Sequence, residues 1–182
     1  MPAPIAVRFL AADRGDWRID RMTALVGPGL ALAAALSRAE GERPFAAGAL
    51  WHLDGVTSNE RYVSRTEKQR LDAVSPPLGR AQSTRAALIP VRKAAAWWEL
   101  PQDARREVLE ERSHHISLGL EYLPAVARRL YHSRDLGEPF DFLTWFEFAP
   151  ESEASFNELL RQLRATEEWR YVDREIEIRL SR

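Results

Sequence analysis

The order of apolar and polar positions divides the chain into short alternating stretches and longer ones of helical spacing. Residues 5–10 and 85–91 (RAALIPV) are nearly continuous apolar runs and predict strands. The second is buried, with Pro90 restricting its pairing. Residues 50–56 (LWHLDGV) alternate, residues 140–148 (FDFLTWFEF) form a strand with one strongly aromatic face, and residues 171–180 set Val172, Ile176, Ile178 and Leu180 against charges. A turn at 13–16 precedes a short strand at 17–19. Helical patterns cover 30–38, rich in Ala and Leu and entered through Gly27-Pro28-Gly29, and 66–73, with Thr66 as its cap. Two more cover 94–100, holding Trp97 and Trp98, and 155–166, where Phe156, Leu159, Leu160 and Leu163 share a side.

The longest pattern spans 107–131 and reads EVLEERSHHISLGLEYLPAVARRLY. It begins as an amphipathic helix whose first turn is opened by Pro101. Val108 and Leu109 recur seven residues later as His115 and Ile116, which places His115 on the apolar stripe and His114 on the wet face with Glu107 and Glu110. A histidine on an apolar stripe is either a core residue bonded to a carbonyl or carboxylate, or a metal or haem ligand. Pro124 kinks or breaks the helix before Arg128 and Arg129. Unbroken, the helix would hold His115 and Arg128 about 20 Å apart; with a bend, the two can face opposite sides of one flat cofactor.

This alternation predicts an α+β protein of two units sharing an antiparallel sheet, with helices on one face. The loop at 75–79 (SPPLG) marks the boundary, giving a shortened N-terminal unit at 1–76 and a C-terminal unit at 77–182. The length of 182 residues, 45% hydrophobic, suits one domain or two small fused ones. A net charge of -1 gives no sign of a nucleic-acid partner or an anionic membrane surface, and the apolar run near residues 24–36 is interrupted by glycine and proline and too short to span a bilayer. A cytoplasmic protein is expected. The absence of cysteine excludes disulfides, zinc–cysteine sites, iron–sulfur ligation, thiolate-bound haem and a Cys nucleophile. No glycine-rich phosphate loop or Gly-x-Ser-x-Gly elbow is present, and no pair of histidines has zinc spacing. Arginine outnumbers lysine so heavily that Lys68 and Lys93 are the sole lysines.

Several blocks in order, WHLDGVTSNERY, LGRAQSTRAALIPVRK, WWELP, the 115–128 stretch, RRLYHSRDLGEPFDFLTWFE and TEEWRYVDRE, resemble the chlorite dismutase family over residues 49–180, in its truncated, dimeric branch. The resemblance implies ferredoxin-like units arranged as a dimeric α+β barrel, a homodimer, and haem b as cofactor. It implies conversion of chlorite to chloride and dioxygen by way of a ferryl haem and hypochlorite. His115 matches the axial ligand of the haem iron. Glu168, with Glu167 beside it as a competing match, corresponds to the carboxylate on the other imidazole nitrogen, and Lys93 to the amine paired with that carboxylate. Arg128 matches the distal arginine, which would hold the oxyanion by charge-assisted bonds; on helical phase alone Arg129 competes. Trp97 and Trp98 match a pair lining the haem pocket, and Asn59 a propionate contact.

Two positions depart from the family pattern. Glu60 follows Asn59 where a tyrosine is expected in some members, so Arg61 or Tyr62 would serve the propionate. Ser75 stands where some truncated members carry a glutamine bonded to the distal arginine. Other readings of the same residues are a peroxidase-like enzyme or a coproporphyrin decarboxylase on this fold, and a non-enzymatic α+β domain in which His115 is a buried core residue.

Overall fold

Alternation closes on itself in this protein. The computed structural model describes residues 4–41, 48–57 and 62–182. Eight strands, β1 (Ala6–Ala12), β2 (Trp17–Val26), β3 (Ala35–Glu40), β4 (Trp51–Val56), β5 (Arg85–Lys93), β6 (Val126–His132), β7 (Phe142–Phe148) and β8 (Val172–Ser181), form a closed barrel in the order β1-β3-β2-β8-β5-β7-β6-β4. Every pairing is antiparallel. The fold class is α+β, as expected.

The barrel interior takes one parity from each strand. Phe9, Trp17, Leu36, Leu53, Leu88, Tyr131, Leu143, Trp145, Ile176 and Ile178 fill it, so it is a packed core with no lumen. The opposite parity of β5, β6 and β7 points outward, beneath helices α1 (Arg65–Val74), α4 (His115–Tyr122) and α5 (Glu153–Arg164). Helix α5 lays Phe156, Leu159, Leu160 and Leu163 on this outer face against Ala87, Ile89, Phe146 and Phe148, the side its periodicity predicted. Burying four such side chains contributes roughly 1.5–3 kcal/mol each.

The β4–β6 seam that closes the barrel is short, pairing Val56 with His132. Gly55 makes the approach possible, because a Cβ there would lie 2.7 Å from Cβ of Tyr131. Pro90 sits in the middle of β5 and faces Leu143 of β7; on the other side the pairing passes from Leu88–Ile178 to Val91–Glu175. The missing amide is thus tolerated where the β8 ladder lapses.

Three expectations from the sequence are corrected. Residues 30–38 are not a helix: residues 28–33 are irregular, and Ala35–Glu40 is a strand paired with β1 in register Leu10–Ser37. Pairing on both sides of β3 overrides the helix propensity of its alanines. Helix α1 starts earlier than Thr66, with Ser64 and Glu67 forming a reciprocal capping box. The stretch 107–131 is not one kinked helix. Short helices α2 (Ala95–Glu99) and α3 (Gln102–Arg106) lead into a π-helical turn, Glu107–Arg112, then α4, and Pro124 ends the helical path ahead of strand β6. Residues 171–180 form a strand as read, now placed between β2 and β5. Among the described residues no helix is long and apolar enough to cross a membrane.

Candidate functional site

A cleft lies between the outer face of β5–β7 and the helices. Its sheet wall is Ile89, Val91 and Lys93 from β5, Arg128, Leu130 and His132 from β6, and Phe142, Thr144 and Phe146 from β7. These are alternate residues of each strand, so one strand rule sets the whole wall. Its helical wall includes Leu71, His115, Ile116, Gly119, Leu160 and Leu163. The walls are apolar apart from a few placed polar groups, the usual character of a site for a large flat ligand.

His115 is the first residue of α4 and lines this cleft. Its Nδ1 lies 2.6 Å from Oε2 of Glu168. Glu168 is buried, and its other oxygen accepts a hydrogen bond from Lys93 Nζ at 2.7 Å. Burial pushes the Glu168 carboxyl up, but the charges and hydrogen bonds of His115 and Lys93 outweigh it and bring it down to about 2. The ammonium of Lys93 also sits over the rings of Trp97 (4.7 Å) and Trp169 (5.5 Å). With Nδ1 committed to a carboxylate, Nε2 is the imidazole nitrogen left to serve as a ligand. Glu167 is engaged elsewhere, with Arg112 at 3.1 Å, so geometry separates the two adjacent glutamates.

Strand geometry separates the adjacent arginines too. Arg128 lines the cleft, whereas Arg129 turns to the other face of β6 and pairs with Glu40 at 2.9 Å. Arg128 therefore reaches the site from a strand, and not from a bent helix as the periodicity suggested. Of the two tryptophans, Trp97 lines the cleft. Trp98 lies outside the lining, stacked on Phe142 with the Arg134 guanidinium 3.9 Å from its ring. Asn59, Glu60 and Arg61 lie outside the described residues. Tyr62 lines the cleft and meets Trp97 edge to face. Its hydroxyl accepts from Arg105 at 3.0 Å, and its carbonyl accepts from Arg106. Ser75 is exposed at the C-terminal end of α1, outside the lining.

The residues fit a haem. An imidazole braced by a buried carboxylate is the donor set of a proximal ligand. The space is apolar, and the indole N–H of Trp97, buried in the lining, meets no acceptor among the described residues. A carboxylate edge on the ligand would satisfy it. A separate cluster, His52, Asp54 and Glu138, brings donor atoms within 4.8 Å, but both oxygens of Asp54 already accept from Arg8.

Comparison with known proteins identifies the family. A family model described as chlorite dismutase matches residues 46–182. The chain belongs to the chlorite dismutase family. A dimeric chlorite dismutase from Nitrobacter winogradskyi superposes with a TM-score of 0.90 at 53% sequence identity, covering 97% of this chain and 99% of that one. The chlorite dismutase of Candidatus Nitrospira defluvii, solved with imidazole, shares the fold at a TM-score of 0.64 and 20% identity, over 98% of this chain and 91% of that one. The chlorite dismutase of Ideonella dechloratans is 34% identical over 121 residues, 65% of this chain and 40% of that relative's length.

Residue patterns missed several groups at this cleft. Glu110 accepts the Ile116 N–H, Ser113 accepts the Glu168 N–H on its hydroxyl, and Trp169 lines the cleft with its indole N–H donating to Glu175 at 2.8 Å. Only the placement of Glu110 five residues before His115, where a regular helix would point it elsewhere, hints at a special contact.

Proposed function

We propose that this chain is a haem b-dependent chlorite O2-lyase, converting chlorite to chloride and dioxygen. The supporting observation is one cleft that receives a carboxylate-braced imidazole from its helical wall and a guanidinium from its sheet wall. When bound, haem would supply a redox-active iron, the chemistry needed to break both Cl–O bonds of chlorite and join its two oxygens. The chain's own residues do the rest. His115 holds the cofactor through Nε2. Glu168 accepts the Nδ1 proton in a hydrogen bond, fixes the tautomer and makes the imidazole a stronger donor, while Lys93 neutralises the buried carboxylate. Trp97 lines the pocket, and Tyr62 takes the part of the family's propionate contact.

Arg128 binds chlorite as an anion and retains hypochlorite after the first bond breaks. Its guanidinium stays protonated at every working pH, so its contribution is electrostatic positioning and not proton transfer. The apolar walls of the cleft exclude water, strengthening that hold. The reading also takes the protein to be a homodimer, on the precedent of the dimeric Nitrobacter relative, and to be cytoplasmic, with unit boundaries at 1–76 and 77–182.

The test is dioxygen release on an oxygen electrode after chlorite is added to haem-loaded protein. Arg128→Ala should keep its Soret band and lose about 100-fold or more in rate, the scale of removing one oxyanion-binding donor. His115→Ala should lose the band. Haem uptake without dioxygen release would overturn the chlorite reading in favour of peroxidase-like or porphyrin-processing chemistry.

A further inference from the structure

The helix that carries His115 begins in an unusual way. The π-helical turn Glu107–Arg112 ends one residue before Ser113, and His114 then adopts a left-handed conformation, φ 53 and ψ 31. That conformation is uncommon for a non-glycine residue and marks a sharp redirection of the backbone. His114 stands in the capping position of α4, but its side chain makes no cap hydrogen bond. The first amides of α4 would be left without acceptors on the inner side of the turn.

Glu110 takes that role from five residues upstream. The residue is only 7% exposed. Oε2 accepts the Ile116 N–H at 2.6 Å; Oε1 accepts the Ser117 N–H at 3.2 Å and the Ser117 hydroxyl as well. The carbonyl of the same residue accepts the His114 N–H at 2.9 Å. A buried carboxylate is thereby matched to the positive end of the helix and to three donors. Ser113, also buried, accepts the Glu168 N–H on its hydroxyl at 2.9 Å. The turn 110–117 thus grips both partners of the His115–Glu168 contact.

We infer that Glu110 is the positioning residue for His115, clamping the start of α4 so that the imidazole keeps its Nδ1 on Glu168 and its Nε2 toward the cleft. The inference rests on the haem reading above and adds the residue that sets the ligand's orientation. A carboxylate is required because both oxygens accept. In Glu110→Gln one end keeps its acceptor while the amide at the other end opposes the Ser117 N–H, so the clamp is half lost. In Glu110→Ala it is lost entirely.

Three quantities are measured on wild type, Glu110→Gln, Glu110→Ala and His115→Ala: haem affinity by Soret titration, the iron–histidine stretching band of the ferrous protein by resonance Raman, and thermal unfolding of the cofactor-free chain. Glu110→Ala is expected to bind haem 10- to 100-fold more weakly, the usual effect of losing a partner behind a metal ligand. Its iron–histidine band should move to lower frequency or split, and Glu110→Gln should fall between it and wild type. A purely structural role would lower the unfolding temperature and leave the band in place; that result overturns the inference. If Glu110→Ala does not fold, Glu110→Gln decides: a shifted or split band supports the clamp, and an unchanged band with unchanged affinity refutes it. Failure of wild type to bind haem, or an iron–histidine band that persists in His115→Ala, would instead refute the underlying haem reading.

Discussion

The buried Lys93–Glu168 pair offers the sharpest test of the energetics behind the site. Both side chains are 4% exposed and Nζ lies 2.7 Å from Oε1. Lys93→Met keeps most of the aliphatic stem under the Trp97 and Trp169 rings but deletes the charge. Glu168 then retains the His115 Nδ1 contact on Oε2, while Oε1 is left buried without the cation that compensated it. Breaking one side of a buried ion pair costs about 3–5 kcal/mol. For a chain of this size each kcal/mol moves the midpoint by about 2–4 °C, so Tm should fall by about 10 °C. Urea and thermal unfolding of the cofactor-free protein, followed by circular dichroism, isolate this term from the stabilisation a bound ligand would add. Lys93→Met combined with Glu168→Gln removes both charges and should regain more than half of the loss. A loss below about 1 kcal/mol, the value of an exposed pair, would refute the argument that the pair is desolvated. So would a double variant no more stable than the single one.

Glu67 gives an acid-limb prediction. The hydrogen bond from Arg106, helped by the Ser64 cap, brings its carboxyl from 4.5 to about 2. A folded value below the unfolded one means the stabilisation is present above about pH 4.5 and is lost as pH falls towards 2; Arg106→Met should cost about 1–2 kcal/mol in urea unfolding at pH 7 and much less near pH 2. Gly55→Ala should destabilise by about 1–3 kcal/mol through overpacking against Tyr131, seen as a lower urea midpoint; an unchanged midpoint would show that the β4–β6 seam can spread. On the reading proposed above, any hypochlorite that leaves the cleft should inactivate the enzyme. Added methionine, as a scavenger, should then raise total dioxygen yield, and no change in yield would count against that account.

How far the sequence could be read depends on which force set each element. Residues 85–91, 140–148, 155–166 and 171–180 were legible because burial alone decides them: an apolar strand run and a one-sided helix have few other ways to hide. Residues 35–40 were not legible, since their alanines favour helix and only pairing with distant β1 and β2 makes them strand. At the site, His115 and Glu168 were reached by family resemblance, and the structure brings them into contact. The helical phase that also selected His115 does not run through to it, because the π turn and the left-handed His114 break the count. Arg128 and Arg129 were inseparable as helical neighbours and become opposites as strand neighbours. Glu110 offered no more than its odd spacing from His115, as its contact depends on a backbone conformation that residue patterns do not encode.

The strands β5, β6 and β7 serve two compartments at once, core on one side and cleft on the other. This makes the protein far more sensitive to the count of residues in β6 than to their identity. A substitution at Leu130 or Thr144 alters one wall of one compartment. Deleting a single residue from Val126–His132 exchanges the two, driving a cleft-facing guanidinium towards Trp145 and Leu143 and moving Tyr131 out of the core. Relatives that differ widely in sequence are therefore free to vary both compartments, provided the reading frame of these strands is kept; insertions and deletions belong in the connections between them.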